Sequence, residues 1–406
     1  MVHATTSSST VRGSVRVIAT DEEAIAVAED FAWRIRERAV DRDQQRQLPF
    51  EEMALYSRSG LGGITVPREF GGADVSVPTV VEVFRIVSAA DPSIGQIPQT
   101  HFGAINSIKT IGDEAQQSRF FAAVLRGERF GSATSERGTK NARDLVTRLS
   151  YEQGSYVLNG TKFYCTGSLF ARWLQVLALD EQGQLARVLV PRDAHGVSVS
   201  DDWTGFGQRT TGSGTVMLTN VVVDPQNILP AYKLYGGAVT LQGPFAQIIQ
   251  AAIDAGIAEE ALKDTEEFVR TKTRPWIDSG LDVATADPLM LREIGLLHLR
   301  VNGANALLRR AARQFSLCES PLKEADAAAV SIGVAEAKAV TTEAALIVAE
   351  KLHELSGSHS SIREHGLDRH WRNARTHTLH DPVRWKYNLV GNYYLNGVHP
   401  DRHSFV

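Results

Sequence analysis

The stretch YVLNGTKFYCTG, Tyr156–Gly167, decides how this chain is read. Its β-branched and aromatic residues are strand formers, and Asn159-Gly160 is the strongest short-range hairpin signal available to a sequence. The same texture continues outward on both sides. RFGSATS, LVTRLSYEQGS, RWLQVLALDEQGQLARVLVP, GVSVSDDW and GTVMLTNVVVDP are short β-branched runs punctuated by turn residues. Together they predict a β-barrel-like middle domain over residues 129–238.

Beyond both limits the periodicity changes from two to between three and four. On the N-terminal side, DEEAIAVAEDFAWRIRERAVDRD opens with an acidic cap, PFEEMALYSRSGL ends on glycine, and VPTVVEVFRIVSAADPS stops at Asp91-Pro92. These predict an N-terminal helical domain over 15–128, after a Ser/Thr-rich disordered tail at 1–14. On the C-terminal side, FAQIIQAAIDAGIAEEALKDTEEFVRTKTRPW, DPLMLREIGLLHLRVNGANALLRRAARQF and EADAAAVSIGVAEAKAVTTEAALIVAEKLHELSG are long and rich in alanine, and a last helix follows Asp381-Pro382. Small residues on one face favour close antiparallel packing, so 239–406 is expected to be a four-helix bundle. The fold class is α+β.

Bulk properties exclude several function classes. The 406 residues carry 43 basic and 47 acidic side chains, a net charge of −4, which provides no footprint for nucleic acid or an anionic membrane. No run is apolar for long enough to span a bilayer, and the first residues have no secretory core, so a cytoplasmic location is expected. Cys165 and Cys318 stand far apart and suggest neither a disulfide framework nor a zinc site. His359, His365 and His370 are spaced by six and five, which suits no single helix face, so no metal is expected there. There is no Walker A sequence, no G-x-G-x-x-G after a strand, no G-x-S-x-G and no H-E-x-x-H.

What remains is a pair of imidazoles, His377 and His380, in WRNARTHTLHDPVRWKY. The Asp381-Pro382 step that follows has the form of an N-cap with proline at the first helical position.

The helix–β–helix order with LNGTKFYCTG in the β-domain resembles the acyl-CoA dehydrogenase superfamily over essentially the whole chain. Similar family segments are the GITVPREFGG connector at Gly63–Gly72, the hairpin at Asn159–Lys162, and the D-x-GIA-x-x-AL opening at Asp254–Leu262. A narrower resemblance rests on QIPQTHF, SATSERGTK, DDWTGFGQRTTGSGTV, VRTKTRPW and DRHWRNARTHTLHDPVRWKYNLVGNYYLNG. These look like the flavin-dependent monooxygenases of sulfur acquisition, among them the dibenzothiophene monooxygenases and the dimethyl-sulfone-utilisation oxidoreductases.

The resemblance also shows what is missing. Family dehydrogenases need a glutamate to take the α-proton of a thioester, in a C-terminal Y-E-G-T segment or early in the first bundle helix. Here the first place holds THTLHDPV and the second holds Ala246 beside Gln247. The implied chemistry is therefore a two-component oxygenation. Reduced FMN, supplied by a separate NAD(P)H-dependent flavin reductase, would react with dioxygen to a C4a-hydroperoxide that oxidises a small organosulfur compound. The alternative is an FAD-dependent acyl-CoA dehydrogenase with an unrecognised base.

By the same resemblance, His377 and His380 lie beside the flavin ring, His380 nearest the C4a atom, and Thr166 holds its hydroxyl near flavin N5. Thr134 and Ser135 run along the flavin, while His101 and Trp203 line the substrate pocket. On the residue pattern alone Thr166 reads equally as a strand-end turn and Trp203 as a core residue, while His101 reads as a hydrogen-bonded core histidine that only the resemblance moves to the pocket. Arg270 and Arg274, i and i+4, fall on one helix face and would complement its dipole. The family role is to reach the flavin phosphate of a neighbouring subunit, which implies a homotetramer that also buries the alanine-rich faces of the bundle.

Overall fold

The computed structural model describes residues 14–406, so the tail expected at 1–14 lies outside the described residues except for Ser14. Seven helices come first: α1 (Asp21–Arg36), α2 (Ala39–Gln45), α3 (Phe50–Ser59), α4 (Val77–Ala90), α5 (Pro92–Gln96), α6 (Gln99–Ile111) and α7 (Glu114–Leu125). Each boundary has a local cause. Thr20 accepts from Glu23 N–H to cap α1, and Asp113 with Gln116 forms a capping box on α7. The long run from Asp21 divides into α1 and α2, and Arg42 of α2 is buried between Glu52 and Asp91, 3.0 Å from each. Asp91 ends α4 and accepts from the Ser93 and Ile94 N–H groups at the start of α5.

The middle domain is one sheet of eight strands: β1 (Phe130–Ala133), β2 (Arg148–Glu152), β3 (Ser155–Lys162), β4 (Trp173–Leu179), β5 (Leu185–Pro191), β6 (Val197–Val199), β7 (Val216–Val223) and β8 (Ile228–Leu229). Its order is β6-β7-β3-β2-β4-β5-β8, with β1 parallel to β4. Asn159-Gly160 is not the hairpin turn. β3 runs straight through it, with a bulge against β7 between Leu158 and Gly160. The turn falls at Gln153-Gly154, where both residues have positive φ (49° and 85°), the signature of the hairpin-forming type I′ turn. Asn159 instead accepts from Asn220 N–H at 2.7 Å, and a Cβ on Gly160 would stand 2.2 Å from Thr147 Oγ1. The glycine is needed for close approach of a neighbouring segment.

Helices return with α8 (Lys233–Gly236), α9 (Gln242–Thr271), α10 (Pro288–Ser316), α11 (Glu324–Ser356), α12 (Asp368–His377) and α13 (Arg384–Asn396). α9 packs on α10, α11 and α4, so one apolar core runs through both helical regions, from Phe31 and Phe84 to Ile253 and Leu352. The alanine faces are covered within the chain: Ala251, Ala258, Ala337, Ala345 and Ala349 all lie in that core. The surfaces left open carry larger side chains instead, including Leu289, Leu291 and Leu299 on α10 and Trp385, Tyr394 and Leu395 on α13. The expectation that alanine faces await a partner is corrected. Among the described residues no helix is long and apolar enough to cross a membrane.

Candidate active site

The two histidines are on α12 and just after it. The polar segment DRHWRNARTH forms a helix that the sequence did not announce, because its apolar face holds little beyond Ala374. His377 is its last residue, and His380 lies in the turn before α13. The Asp381-Pro382 step is no N-cap: α13 starts at Arg384, and the Asp381 carboxylate turns inward to Lys386, 3.2 Å away, and towards Lys338 at 3.9 Å.

Around these residues a polar network fills the space between α9, α11 and α12. His377 Nδ1 lies 2.5 Å from Asp254 Oδ1, and neither side chain has any exposed surface. Thr342 donates to Asp254 Oδ2 at 3.0 Å, and the Lys338 ammonium is 3.6 Å from the same oxygen. Lys338 donates to Gln250 Oε1 at 2.9 Å, and Gln250 Nε2 is 3.0 Å from His380 Nδ1. Burial opposes ionisation of Asp254, but Lys338, His377 and Thr342 outweigh it and hold the carboxyl below its usual range. Asp381 is likewise held down, against its burial, by Lys338 and Lys386. Burial around the His380 ring, reinforced by the Lys338 charge, keeps that imidazole below the usual histidine range, although the residue as a whole is exposed.

The β-domain reaches this corner through the loop DDWTGFGQRTTGSG. A Cβ on Gly207 would stand 1.8 Å from the Arg372 carbonyl, so the loop lies directly on α12. Gln208, at φ 49° and 1% exposed, donates its N–H to Asn373 Oδ1 at 2.7 Å, one turn before His377. Its carbonyl accepts from Trp203 Nε1 at 2.8 Å and Thr211 Oγ1 at 3.0 Å. Thr211, Ser213 and Thr166 then form a hydroxyl chain with 2.7 Å links. Thr166 and Trp203 are thereby tied to the helix that carries His377. Thr134 and Ser135 follow β1, where Ser135 accepts from Phe163 N–H at 2.9 Å and Ser135 itself is exposed. The buried Glu136–Lys162 pair at 2.6 Å pins that loop from behind.

Among the described residues, several polar atoms in this region have no partner: His377 Nε2, Thr376 Oγ1, and the side-chain oxygen and nitrogen of Gln208. Buried polar groups are ordinarily paired, so these open atoms could be completed by a bound group, although others such as Arg187 Nε and Asn305 Oδ1 are open elsewhere in the chain. A flavin ring edge alternates acceptors with a donor, and a carboxamide, an imidazole and hydroxyls match it. The residues present fit that group.

Three expectations change. His101 is 1% exposed in the seam between α6, the connector and β1. Phe130 N–H donates to its Nδ1 at 3.2 Å, and its Nε2–H donates to the Gly62 carbonyl at 2.8 Å. Burial pushes its pKa down to about 4. It is a neutral core histidine with no nitrogen left for a substrate. Arg270 and Arg274 do not share a helix face, because α9 ends at Thr271 and Arg274 lies in the loop beyond. Arg270 pairs with Glu266 at 2.5 Å, whereas Arg274 is exposed and meets no carboxylate among the described residues. His359 and His365 bring their Nε2 atoms to 3.3 Å, with Glu364 near; His370 turns away to Asp264.

Sequence reasoning passed over Asp254, Gln250, Lys338, Lys386 and Gln208. The signal was present for two of them. An aspartate within IIQAAIDAGIA and a lysine within GVAEAKAVTT are charges in otherwise apolar helix, which occur buried only when paired.

Three family models cover the chain: the acyl-CoA dehydrogenase N-terminal domain at residues 20–128, the middle domain at 131–221 and the C-terminal domain at 248–385. The chain belongs to the acyl-CoA dehydrogenase family, and within it to the flavin-dependent monooxygenases. It is 34% identical over 397 residues to dibenzothiophene monooxygenase of Rhodococcus qingshengii, covering 94% of this chain and 95% of that one. The probable FMNH2-dependent monooxygenase SfnC of Pseudomonas putida is 29% identical, covering 93% and 96%. FMN-bound TdsC from Paenibacillus sp. A11-2 superposes with a TM-score of 0.90 at 31% identity, covering 94% of this chain and all of that one.

Proposed function

We propose that the protein is an FMNH2-dependent monooxygenase that oxygenates a small organosulfur compound, a sulfide, sulfoxide, sulfone or thiophene. It would draw its reduced flavin from a separate NAD(P)H-dependent reductase and act in the cytoplasm as a homotetramer. One observation carries the reading: where a dehydrogenase needs a free carboxylate, this corner presents two histidines. Its carboxylates, Asp254 and Asp381, are held by lysines and lie below their usual range, which makes them poor bases for an α-proton. The names of the monooxygenase relatives and the FMN in TdsC support the same choice over FAD and a thioester.

When bound, reduced FMN supplies the electrons and the site at which dioxygen is activated. This chain's residues bind it, exclude water and manage protons. Thr166, Thr134, Ser135 and Gln208 would line the flavin on the β-domain side, with His377 opposite and Trp203 towards the substrate. The exposed leucines and aromatic residues of α10 and α13 would be covered by other subunits, and one of those would bring Arg270 or Arg274 to the flavin phosphate.

The test uses the pure full-length chain with a flavin reductase, FMN, NADH and 18O-labelled dioxygen, with dibenzothiophene and dimethyl sulfone as trial substrates. Label entering the sulfur compound supports the reading. The chain alone should oxidise no NADH and should bind reduced FMN more tightly than oxidised FMN. NADH oxidation without the reductase, or bleaching of copurified FAD by an acyl-CoA, would overturn it.

A further inference from the structure

The hydrogen-bond chain from Lys338 dictates where the protons sit on both histidines. Lysine has three donors and no acceptor, so the Gln250 atom at 2.9 Å from its ammonium must be the amide oxygen. The amide of Gln250 cannot then be flipped, and its NH2 group faces His380 Nδ1 at 3.0 Å. A donor facing Nδ1 requires a bare nitrogen there. The proton of a neutral His380 is thus on Nε2.

The same lysine has the opposite effect on His377. It stands 3.6 Å from Asp254 Oδ2, which Thr342 also donates to, so Asp254 is a carboxylate and only accepts. His377 Nδ1, 2.5 Å from its other oxygen, must carry a proton. That leaves Nε2 bare in the neutral ring, and Nε2 is buried without a protein partner. The charges around the pair balance without either imidazole. Asp254 and Asp381 face Lys338 and Lys386.

We propose that His377 and His380 are held as opposite neutral tautomers, His377 protonated on Nδ1 and His380 on Nε2, so that together they present one acceptor and one donor to the flavin side of the corner. Asp254, Gln250 and Lys338 are the positioning residues that set this arrangement. The functional meaning rests on the monooxygenase reading: the donor serves oxygen at the flavin, and the acceptor serves a proton on flavin or substrate. The arrangement itself is a property of the flavin-free chain, so it can fail separately from that reading.

The experiment is long-range 1H–15N correlation of ring nitrogens in deuterated, 15N-histidine-labelled full-length protein without flavin, near pH 8. His377→Gln and His380→Gln assign the two rings. The expected result is a protonated-nitrogen shift at Nδ1 and a bare-nitrogen shift at Nε2 for His377, with the reverse for His380. Gln250→Glu places an acceptor opposite His380 Nδ1 and should move its proton there, while leaving His377 unchanged. Lys338→Met frees the Gln250 amide and should give His380 shifts intermediate between the two tautomers. Matching tautomers in the parent protein, averaged shifts, or a doubly protonated ring at either position would overturn the proposal whether or not the variants fold. With reductase and substrate present, Gln250→Glu should lower product formed per dioxygen at least tenfold with flavin affinity within twofold. Loss of flavin binding alone would reduce Gln250 to a structural role.

Discussion

Two corners of the molecule are built around buried histidine, and they differ in what is left over. At the seam of α6 and β1, His101 has both ring nitrogens engaged, and its ring stacks on Phe130 at 5.7 Å between centroids. At the α12–α13 corner, His377 has one nitrogen held by Asp254 and the other without a partner among the described residues. Burial is nearly equal in the two places. What separates structure from chemistry is the unpaired atom, because an unsatisfied buried nitrogen is destabilising unless a ligand completes it. The His101 ring is fully engaged within the described residues, and the His377 ring is not.

The largest expected effect comes from the corner. His380→Ala should keep the fold and the bound flavin, yet release hydrogen peroxide in place of product. Removing the ring admits water and takes away a proton donor, and loss of one general acid–base group costs about 10²–10⁴-fold in the step it serves. His377→Ala should match it if the pair acts together, and should be milder if His377 only orients its neighbour. Peroxide released per dioxygen consumed is the measurement. Tight coupling in both variants would make this corner as structural as the seam.

At the seam the sign is reversed. His101→Ala should leave coupling intact and lower stability by about 2–4 kcal/mol, since it opens a cavity and strands the Gly62 carbonyl and Phe130 N–H. The pH dependence follows from the same burial. Below the ordinary value of 6.5 the unfolded imidazole takes a proton, but the folded one resists until about 4. Unfolding therefore binds a proton in that window, and stability falls as pH drops from about 6.5 to 4 by up to about 3 kcal/mol. Denaturant melts of parent and variant across this range should show the slope reduced in His101→Ala. Selective loss of coupling in that variant, with stability unchanged, would return His101 to the substrate pocket.

The sequence made the layers legible because each layer has its own period, and the family motifs pointed to Thr166, which the structure links through Ser213, Thr211 and Gln208 to the helix that carries His377. Local signals misled where tertiary contacts chose among their uses. The same Asn-Gly that forms hairpins is here a bulge against Thr147, and Gln153-Gly154 makes the turn. The same Asp-Pro that caps α5 at residue 91 is turned at residue 381 into a partner for Lys338 and Lys386. Neither difference has a trace in the dipeptide. Gln208 was invisible for a further reason: its backbone ties the loop to α12 while its side-chain amide has no partner among the described residues, which only packing reveals.

The smallest effect tests whether the corner is completed by another subunit. Along α9, Arg270 lies some 24 Å from Asp254 at about 1.5 Å per residue, and Arg274 lies beyond the helix end, so both sit far from the histidines of their own chain. Between them Arg274 is the better candidate, because Glu266 already holds Arg270. Arg274→Ala should weaken flavin binding by about 1.5–3 kcal/mol, the range for a charge-assisted hydrogen bond, and Arg270→Ala by less. Thermal stability of the flavin-free protein should not change, since both guanidinium groups are exposed. Titration of each variant with reduced FMN under anaerobic conditions gives the affinities. Mixing gives the geometry: if the site is shared, assemblies containing both His380→Ala and Arg274→Ala chains regain some coupled sites from the two intact halves. Recovery no greater than the sum of the separate variants would place the phosphate and the histidines in one chain, and the corner would then need another explanation for its open atoms.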